Sequence, residues 1–474
     1  MSEPGAGKRV AVASAKAVGA TIALGVAVVT IGAAALLPLP TTAPEVPSVR
    51  VTPVATSQLA VCPGAFLQLG NDEGENADVA TAIGTPSVLF GSTGADLTPG
   101  ALDGPGSPTV LAAGEDPALI SGSQTQNLTG SDVTGFAATE CATPTADSWI
   151  VGGSTATGRT SVLTLANPTE VAATVSLDIF GEAGPISAPG ASGIVVAPLS
   201  QQVVPLAALA PDTASPVIHV TSTGGLVVAS LQESVVRGLE PAGADIVAAT
   251  AKPAASVVIP GLEVTTVDDI EARIAADPER NADLVTAVRV FVPGTVAGTA
   301  TISVIPENGA DGGASFPVDL PARAVLDVSL QGIEEGSYSV SVTSDVPLVA
   351  AVRSSTASGP DPAPGSSDTG WIAAPSALAE PSSFTVSPGP APTLHLGNPT
   401  DAAIDVTLTA PDGTSSEVAV PVGESVSLPS LAGSWQISAT GPVLANVGYS
   451  SSTQLATFSV EPRLADADPI LIYP

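Results

Sequence analysis

Basic residues are scarce in this chain of 474 residues: 13 lysines and arginines stand against 45 aspartates and glutamates, a net charge of −32. Lysine is the rarer of the two, and Lys252 is the only one after residue 16. A surface of this charge repels nucleic acid and anionic membranes, so we expect no nucleic-acid partner. The same charge favours solubility and attraction of divalent cations.

Residues and motifs that carry catalysis are also few. The sequence contains no C-x-x-C, H-E-x-x-H, G-x-S-x-G, S-x-x-K or phosphate-binding G-x-x-x-x-G-K-[ST] motif. Its two histidines, His219 and His395, lie in alternating strand-like runs, where a structural role is simpler than general-base catalysis. We predict that the chain is not an enzyme and uses no cofactor. Clustered, buried carboxylates beside a pocket would argue for an unfamiliar enzyme instead.

Aromatic residues make up only 3% of the chain, although apolar residues make up 44%. The apolar residues are mainly Ala, Val, Leu and Ile, in short runs that 47 glycines and 45 prolines interrupt. Short β-branched runs bounded by turn residues are typical of strands. The apolar content argues against a disordered chain, because disorder accompanies low hydrophobicity. The sequence therefore predicts an all-β fold.

An uncharged apolar stretch of 21 residues, 17–37, follows three of the basic residues. At about 1.5 Å per residue, a helix of this length just crosses a hydrocarbon core of roughly 30 Å. The preceding cations favour a cytoplasmic N-terminus and export of the remaining chain. A cleaved signal peptide is the alternative, but its apolar region would be unusually long. We predict one transmembrane helix in contact with lipid, in a single-pass protein of the cell membrane whose C-terminal bulk is extracytoplasmic.

A strand–turn–strand pattern organises the exported part. It occurs at 162–169 and 393–400, each time around Asn-Pro-Thr, with a weaker copy at 288–295. Pro fixes φ near about −65° and Asn hydrogen-bonds the backbone that follows, so the pair favours a turn. A second pattern ends the repeats, at 131–138, 243–249 and 367–374, and 442–448 closes the last copy. Repeats of this kind outrank single residues as evidence of architecture.

About seven short strands per 100 residues is the count of an immunoglobulin-like sandwich. A ring-closed propeller is disfavoured, because repeats of about 106–125 residues exceed a blade of about 40–50. We predict tandem immunoglobulin-like β-sandwich units preceded by one N-terminal transmembrane helix. The predicted segments are a cytoplasmic N-terminus (1–16), the transmembrane helix (17–37), a Pro/Thr-rich stalk (38–53), a divergent β unit (54–147, repeat 1), and three sandwich units (148–253, 254–375 and 376–474, repeats 2 to 4).

Three local features add detail to this predicted layout. The only cysteines, Cys62 and Cys141, predict a disulfide in an exported chain, which closes a loop of about 80 residues and stabilises by on the order of 4–5 kcal/mol. The acidic loop 71–78 offers calcium-type ligands but lacks the EF-hand register, so a solvated loop is the simpler interpretation. In repeat 3, Ile270 and Ile274 follow two aspartates and predict a short surface helix that ends at Pro278.

The combined features resemble an uncharacterised family of actinobacterial exported, membrane-anchored proteins, a domain of unknown function. The resemblance rests on the anchor and on three motifs: Cys62-Pro63-Gly64, Trp149-Ile150-Val151-Gly152-Gly153 after Cys141, and Leu165-Ala166-Asn167-Pro168-Thr169. It implies membrane attachment and an envelope location, and it implies no activity.

We expect a non-enzymatic, membrane-anchored extracytoplasmic scaffold or interaction protein of the bacterial cell envelope, whose partners are envelope proteins. The alternative is a cell-wall glycan-binding protein. Sugar stacking needs aromatic platforms, and the tryptophans are Trp149, Trp371 and Trp435. Trp149 and Trp371 are the candidate contacts for a partner or for cell-wall polysaccharide. An exposed cleft lined by either would favour glycan binding, and burial of all three would count against it.

Overall fold

A computed structural model describes residues 49–51, 58–70, 79–94, 97–113, 119–359, 365–462 and 470–472. The predicted transmembrane helix (17–37) and the acidic loop (71–78) lie outside these residues. Among the residues that are described, no helix is long and apolar enough to cross a membrane. The chain divides into two compact bodies, one of residues 55–465 and one of residues 1–54 with 466–474. In the smaller body, strand β1 (Val49–Val51) pairs antiparallel with β34 (Ile470–Ile472).

The larger body is all-β, as predicted. Each of its sheets draws its strands from a single repeat. Repeat 1 has three small antiparallel sheets, of orders β2-β7-β6, β3-β4 and β5-β8-β9. Their strands are β2 (Gln58–Cys62), β3 (Phe66–Leu69), β4 (Ala80–Ile83), β5 (Ser87–Ser92), β6 (Thr98–Ala101), β7 (Thr109–Ala113), β8 (Ile120–Thr129) and β9 (Thr134–Glu140).

Repeat 2 has two antiparallel sheets around one apolar core. The first has the order β10-β16-β12-β13, with β14 also paired to β12, and the second has the order β15-β11-β17-β18. The strands are β10 (Asp147–Val151), β11 (Arg159–Asn167), β12 (Ala173–Gly181), β13 (Gly184–Ile186), β14 (Ser192–Val196), β15 (Ser200–Pro205), β16 (Val217–Gly224), β17 (Val228–Arg237) and β18 (Glu240–Val247), with a 3₁₀ turn at Leu206–Ala208.

Repeat 3 is built on one long strand. The 22-residue β24 pairs with β19 and β21 along its first half and with β20 and β25 along its second half. The strands are β19 (Ala254–Val264), β20 (Ala287–Phe291), β21 (Gly298–Pro306), β22 (Ala314–Leu320), β23 (Val325–Ser329), β24 (Gly336–Ala357) and β25 (Ser367–Ala373). The helix expected here is α1 (Val267–Ala276), followed by α2 (Pro278–Asn281) and by 3₁₀ turns at Ala282–Leu284 and Glu307–Gly309.

Repeat 4 has two four-stranded sheets, of orders β26-β31-β28-β29 and β30-β27-β32-β33. Its strands are β26 (Ser382–Val386), β27 (Thr393–Gly397), β28 (Ile404–Thr409), β29 (Ser415–Val420), β30 (Ser425–Pro429), β31 (Gly433–Ala439), β32 (Leu444–Ser450) and β33 (Leu455–Ser459).

The Asn-Pro-Thr turns form as their chemistry predicts. Asn167 Oδ1 accepts hydrogen bonds from the backbone N–H and the hydroxyl of Thr169, at 2.9 and 2.7 Å. Asn398 and Thr400 repeat both bonds at the same distances. Each asparagine also donates through Nδ2 to a carbonyl four residues on, which fixes the turn between its two strands. The two copies are therefore equivalent in structure as well as in sequence.

The last strand of each repeat packs against the others. We call β9, β18, β25 and β33 the closing strands, and three of them contain the sequence pattern that ends the repeats. β9 contacts β18, β18 contacts β25, β25 contacts β33, and β33 contacts β9. The four repeats therefore close into a ring. The length of the repeats argued against a propeller, in which each blade is a single sheet. The ring seen here differs from a propeller, because repeats 2 to 4 each contribute two sets of paired strands.

Candidate functional site: the buried centre of the ring

Asp368, at the start of β25, is fully buried where the closing strands meet. Its Oδ2 accepts hydrogen bonds from the backbone N–H groups of Phe136 and Leu455, at 2.8 and 3.1 Å. Its Oδ1 accepts from those of Ala244 and Thr369, at 3.1 and 3.0 Å. These donors lie one each on β9, β33, β18 and β25. A single carboxylate therefore ties all four repeats together.

Two glycines allow the closing strands to approach this carboxylate. Gly135 on β9 has φ +146°, and a Cβ there would lie 2.5 Å from Ala244 N and 2.7 Å from Asp368 Oδ1. Gly243 on β18 has φ +152°, and a Cβ there would lie 2.9 Å from Thr369 Cγ2. Contacts this short exclude any side chain at either position, because only glycine permits so close an approach of backbones.

Trp371, on the same strand as Asp368, joins repeat 3 to repeat 2. Its indole Nε1 donates to Glu233 Oε2 at 2.7 Å, and its backbone N–H donates to Asp245 Oδ2 at 2.7 Å. Glu233 lies on β17 and Asp245 on β18, and both carboxylates are buried. Buried hydrogen bonds of this kind fix one relative orientation of the elements that make them.

Arg289 adds further contacts between repeat 3 and repeat 2. Its guanidinium makes a bidentate pair with Asp327, at 2.8 and 2.9 Å, and lies over the ring of Trp371 with 4.4 Å from Cζ to the centroid. Its Nη1 donates to the carbonyls of Gly153 and Pro216, both in repeat 2, at 2.8 and 3.1 Å. Arg289 is 0% exposed, so its donors are directed entirely at protein acceptors.

His395 has the corresponding position in repeat 4 and faces repeat 3. Its Nδ1 lies 2.8 Å from Glu307 Oε2, and Glu307 Oε1 accepts the backbone N–H of Gly261 at 3.0 Å. The same joint contains a bond of 2.7 Å from Asn446 Nδ2 to the carbonyl of Pro260. His395 is fully buried, which agrees with the structural role expected from its strand.

The ring closes through hydroxyl groups between repeats 4 and 1. The Ser121 and Thr385 hydroxyls are 2.6 Å apart, and those of Ser123 and Ser387 are 2.9 Å apart. Each of these four side chains is buried. Polar atoms therefore satisfy one another across this joint too, and buried polar groups that are satisfied specify a single arrangement of the parts.

Burial controls the ionisation of the central acids. It raises the pKa of Asp368 to about 8, against the opposing effect of the four N–H donors. Burial also raises the pKa of Asp245 well above its usual range and raises that of Glu233. Asp283 is the contrast: burial raises its pKa, but the Arg237 guanidinium outweighs burial and lowers it to about 2. The centre therefore holds acids that are readily protonated, and its periphery holds acids that stay ionised.

These shifts predict that stability falls as the pH rises through neutrality. A carboxyl with a raised folded-state pKa stabilises fully below its unfolded pKa, and that contribution is lost as pH rises to the folded value, about 8 for Asp368. Asp283 acts oppositely and loses its contribution as pH falls toward 2. We expect the free energy of unfolding, from urea titrations, to be lower at pH 8.5 than at pH 5 by on the order of 4 kcal/mol.

The matched variant for the pH profile is Asp368→Asn, which removes the titrating group. Its stability should be lower than that of the parent chain but should vary less between pH 5 and 8.5. A parent profile that is flat or rises across this interval would contradict the assignment of a protonated carboxyl to the ring centre.

The structure places the residues predicted from sequence as follows. Cys62 and Cys141 form the expected disulfide. Trp149 is 7% exposed and its ring stacks on that of His219, with centroids 4.0 Å apart. It borders a cavity of about 210 Å³ that Lys252 also lines. Trp371 is 3% exposed, and Trp435 is buried as well. Trp149 lies on β10 of repeat 2 and Trp371 on β25 of repeat 3, and both side chains belong to the apolar core of repeat 2.

Sequence reasoning did not find the central residues. Asp245 and Asp368 lie in the repeated endings 243–249 and 367–374. The signal available in the sequence was an acidic residue in a strand whose other residues are mostly small or apolar. Arg289 was also missed, although it lies four residues before the proline of its repeat, as His395 does.

The fold and this centre define a class: an all-β protein of four repeats closed around one buried carboxylate. The chain belongs to a family of unknown function, DUF5719, whose model matches residues 102–430. That range includes β9, β18 and β25, and therefore Asp368. No curated protein matches the chain.

Similarity to solved structures is weak. A Thermotoga maritima protein, 1070, is 15% identical with a TM-score of 0.17, over 22% of this chain and 79% of its own. An anti-sigma factor domain-containing protein from Clostridium clariflavum is 7% identical with a TM-score of 0.12, over 85% and 96%. A tetra-tandem repeat in the extending region of a large adhesion protein is 10% identical with a TM-score of 0.12, over 79% and 90%.

Proposed function

We propose that this chain is a non-enzymatic scaffold of the bacterial cell envelope, anchored in the cell membrane by residues 17–37, with its repeats outside the cytoplasm. The observation that carries the proposal is the Asp368 hub, where backbone groups of all four repeats meet on one side chain. Hydrogen bonds shared in this way favour one relative arrangement of the repeats, which suits a protein that holds partners in fixed positions. The disulfide suits an oxidising, extracytoplasmic compartment.

Two finer assignments belong to the same proposal. We infer that repeats 2 to 4 are immunoglobulin-like sandwiches, because the strands of each repeat form two antiparallel groups around one apolar core. We also infer an actinobacterial, exported origin from the anchor and from the Cys-Pro-Gly and Trp-x-x-Gly-Gly motifs.

The buried acids support a structural role over a catalytic one. Asp245 and Asp368 are 0% exposed, and backbone N–H groups donate to Oδ2 of Asp245 and to both oxygens of Asp368. A general acid or base must reach a proton of the substrate, and these groups are instead enclosed by the closing strands. The proposal therefore treats them as the joint of a ring.

An exposed apolar corner of repeat 2 is the surface we expect a partner protein to contact. Val171, Val195, Leu199 and Leu226 are 40–62% exposed. They surround the Asn167 turn, whose Nδ2 donates to the carbonyl of Val171. Exposed apolar side chains that cluster are typical of protein–protein contact sites, whereas isolated ones are ordinary. Membrane-embedded envelope proteins with exposed apolar loops are the class of partner that fits.

The test is capture by the full chain in lipid nanodiscs, offered detergent-solubilised envelope proteins and, separately, purified cell-wall polysaccharide. We expect saturable capture of a defined envelope protein, reduced about tenfold by Val195→Asp. The matched control is Leu239→Asp, since Leu239 is an isolated side chain 93% exposed. Equal capture by both variants would mean that the apolar corner is not the contact surface. Absence of saturable capture by the parent chain would overturn the scaffold proposal.

Glycan binding remains the second candidate because Trp149 borders a cavity that is also lined by Thr145, Asp147 and Lys252. Burial of all three tryptophans favours the scaffold, since stacking on sugar needs a free ring face. Saturable retention on polysaccharide that is lost in Trp149→Ala would reverse this ranking. A folded Trp149→Ala chain that still captures the envelope protein would support the scaffold.

A further inference from the structure

A second feature, independent of the hub, is a pocket beneath α1. Helix positions 267, 270, 271, 274 and 275 lie on one face of α1 and form its roof. The cavity measures about 460 Å³. Its lining is Val264, Thr265, Val267, Ile270, Glu271, Ile274, Ala275, Leu284, Val285, Thr286, Leu330, Gln331, Gly332, Ile333 and Ser355.

Polar contacts hold α1 away from the sheet rather than letting it collapse onto it. Arg273, on the buried side of the helix next to Ile270, is 1% exposed and donates to the carbonyls of Gly359 and Ser358, both at 2.7 Å. Asp269 accepts the backbone N–H of Gly359 at 2.8 Å. At the start of the helix, the N–H of Val267 donates to Glu335 at 3.0 Å. The roof is therefore fixed by the buried side of the helix and by its first turn.

The floor consists of buried side chains, including Leu284 and Leu330, while Ile270 and Ile274 on the roof are only half-buried. Apolar surfaces that face each other normally pack without gaps, because an unfilled space loses dispersion contacts. A preformed space of this size, with apolar side chains on its roof and floor, lies within the range of small-molecule pockets, roughly 300–1,000 Å³.

The polar groups of the lining restrict the ligand further. Glu271 is the charged side chain among the described lining residues, and Thr286, Gln331 and Ser355 add hydroxyl and amide groups. A carboxylate or phosphate head group would meet the negative charge of Glu271 with no cation in the lining to offset it. An ammonium or hydroxyl head group would find acceptors there.

We propose that the pocket beneath α1 binds a single-chain amphiphile with a cationic or neutral polar head, its hydrocarbon chain between Ile270, Ile274 and Leu330. This assigns a ligand-binding site to repeat 3, apart from the ring centre and from the apolar corner of repeat 2. It does not depend on the scaffold role, because a folded chain that captures no envelope protein would still contain the pocket.

The test is photo-cross-linking of the full chain in lipid nanodiscs with a diazirine-bearing decylamine, and mapping of the labelled peptides by mass spectrometry. We expect saturable labelling within 264–286 or 330–333, displaced by unlabelled decylamine and decanol and at least about tenfold less by decanoate. Labelling elsewhere only, labelling that does not saturate, or equal displacement by decanoate would overturn the proposal.

Two pocket-filling variants and one matched control complete the design. Ile274→Trp fills the cavity, and Ala275→Trp does so from an exposed position, so that at least one of them should fold normally. Ala272→Trp places the same side chain on the exposed face of the helix, outside the lining. Labelling should fall about tenfold in the folded filling variants and remain in the control. Unchanged labelling in a folded filling variant would overturn the proposal.

Discussion

Asp368→Ala is expected to lower the free energy of unfolding by at least about 4 kcal/mol, the largest effect of any single carboxylate in the chain. The substitution leaves the backbone N–H groups of Phe136, Ala244, Thr369 and Leu455 without their acceptor. A buried donor that loses its partner costs about 1–3 kcal/mol, and water has no access to a centre that is fully buried. Urea denaturation followed by tryptophan fluorescence measures the change.

The control for this experiment is Asp401→Ala, an exposed aspartate beside the Asn398 turn, which should change stability by less than about 0.5 kcal/mol. Asp368→Asn should fall between the two, because its amide keeps one oxygen acceptor and points an NH₂ group at the remaining donors. If Asp368→Ala were as stable as Asp401→Ala, the carboxylate would not be the joint of the ring.

Arg289→Ala is expected to cost about 3–5 kcal/mol, the range for removing one partner of a buried ion pair. Asp327 loses its bidentate partner, and the carbonyls of Gly153 and Pro216 lose their donor. The ring of Trp371 also loses the cation that lies 4.4 Å above it. The free energy of unfolding reports the first effect, and a shift of tryptophan emission in the folded state reports the last.

Two companion variants make this result specific. Arg289→Lys keeps a charge but cannot form the planar fork, so it should recover only part of the loss. Arg323→Ala removes an exposed arginine that lies over Phe180 at 5.2 Å, and it should cost less than about 1 kcal/mol. Full recovery of stability by Arg289→Lys would mean that charge alone, and not the bidentate geometry, matters at this joint.

The sequence predicts the fold of each repeat well at strand positions whose side chains face the core of that same repeat. Leu163 and Leu165 alternate in β11, Leu394 and Leu396 alternate in β27, and all four are buried in the cores of their repeats. Period-2 alternation reports this directly. The asparagine turns were predictable for a similar reason, because the interaction is contained within a few residues.

The residues that the sequence could not predict lie on the opposite face of these strands, away from the core of their own repeat. Arg289 and His395 occupy the alternate positions of their strands, where a polar residue in an isolated sandwich faces solvent. Both are 0% exposed, because the preceding repeat covers them. Polarity at such a position does not distinguish water from a neighbouring repeat. The contacts of Asp368 were hidden for the same reason: three of its four donors come from other repeats.

Ring closure also determines when the last contacts between repeats can form. The hydroxyl contact of Ser121 with Thr385 joins residues 264 positions apart, and the hydrogen bond from Gln454 Nε2 to Asn127 Oδ1 joins residues 327 apart. A linear array of repeats gains stability with each repeat added, because every interface is between neighbours. Here the last joint needs repeat 4 and the first repeat at once, and contacts so distant in sequence slow folding. Repeat 1 is synthesised before the other three repeats, and its contacts with repeat 4 can form only after repeat 4 is synthesised. The Cys62–Cys141 bond restricts the unfolded states of repeat 1.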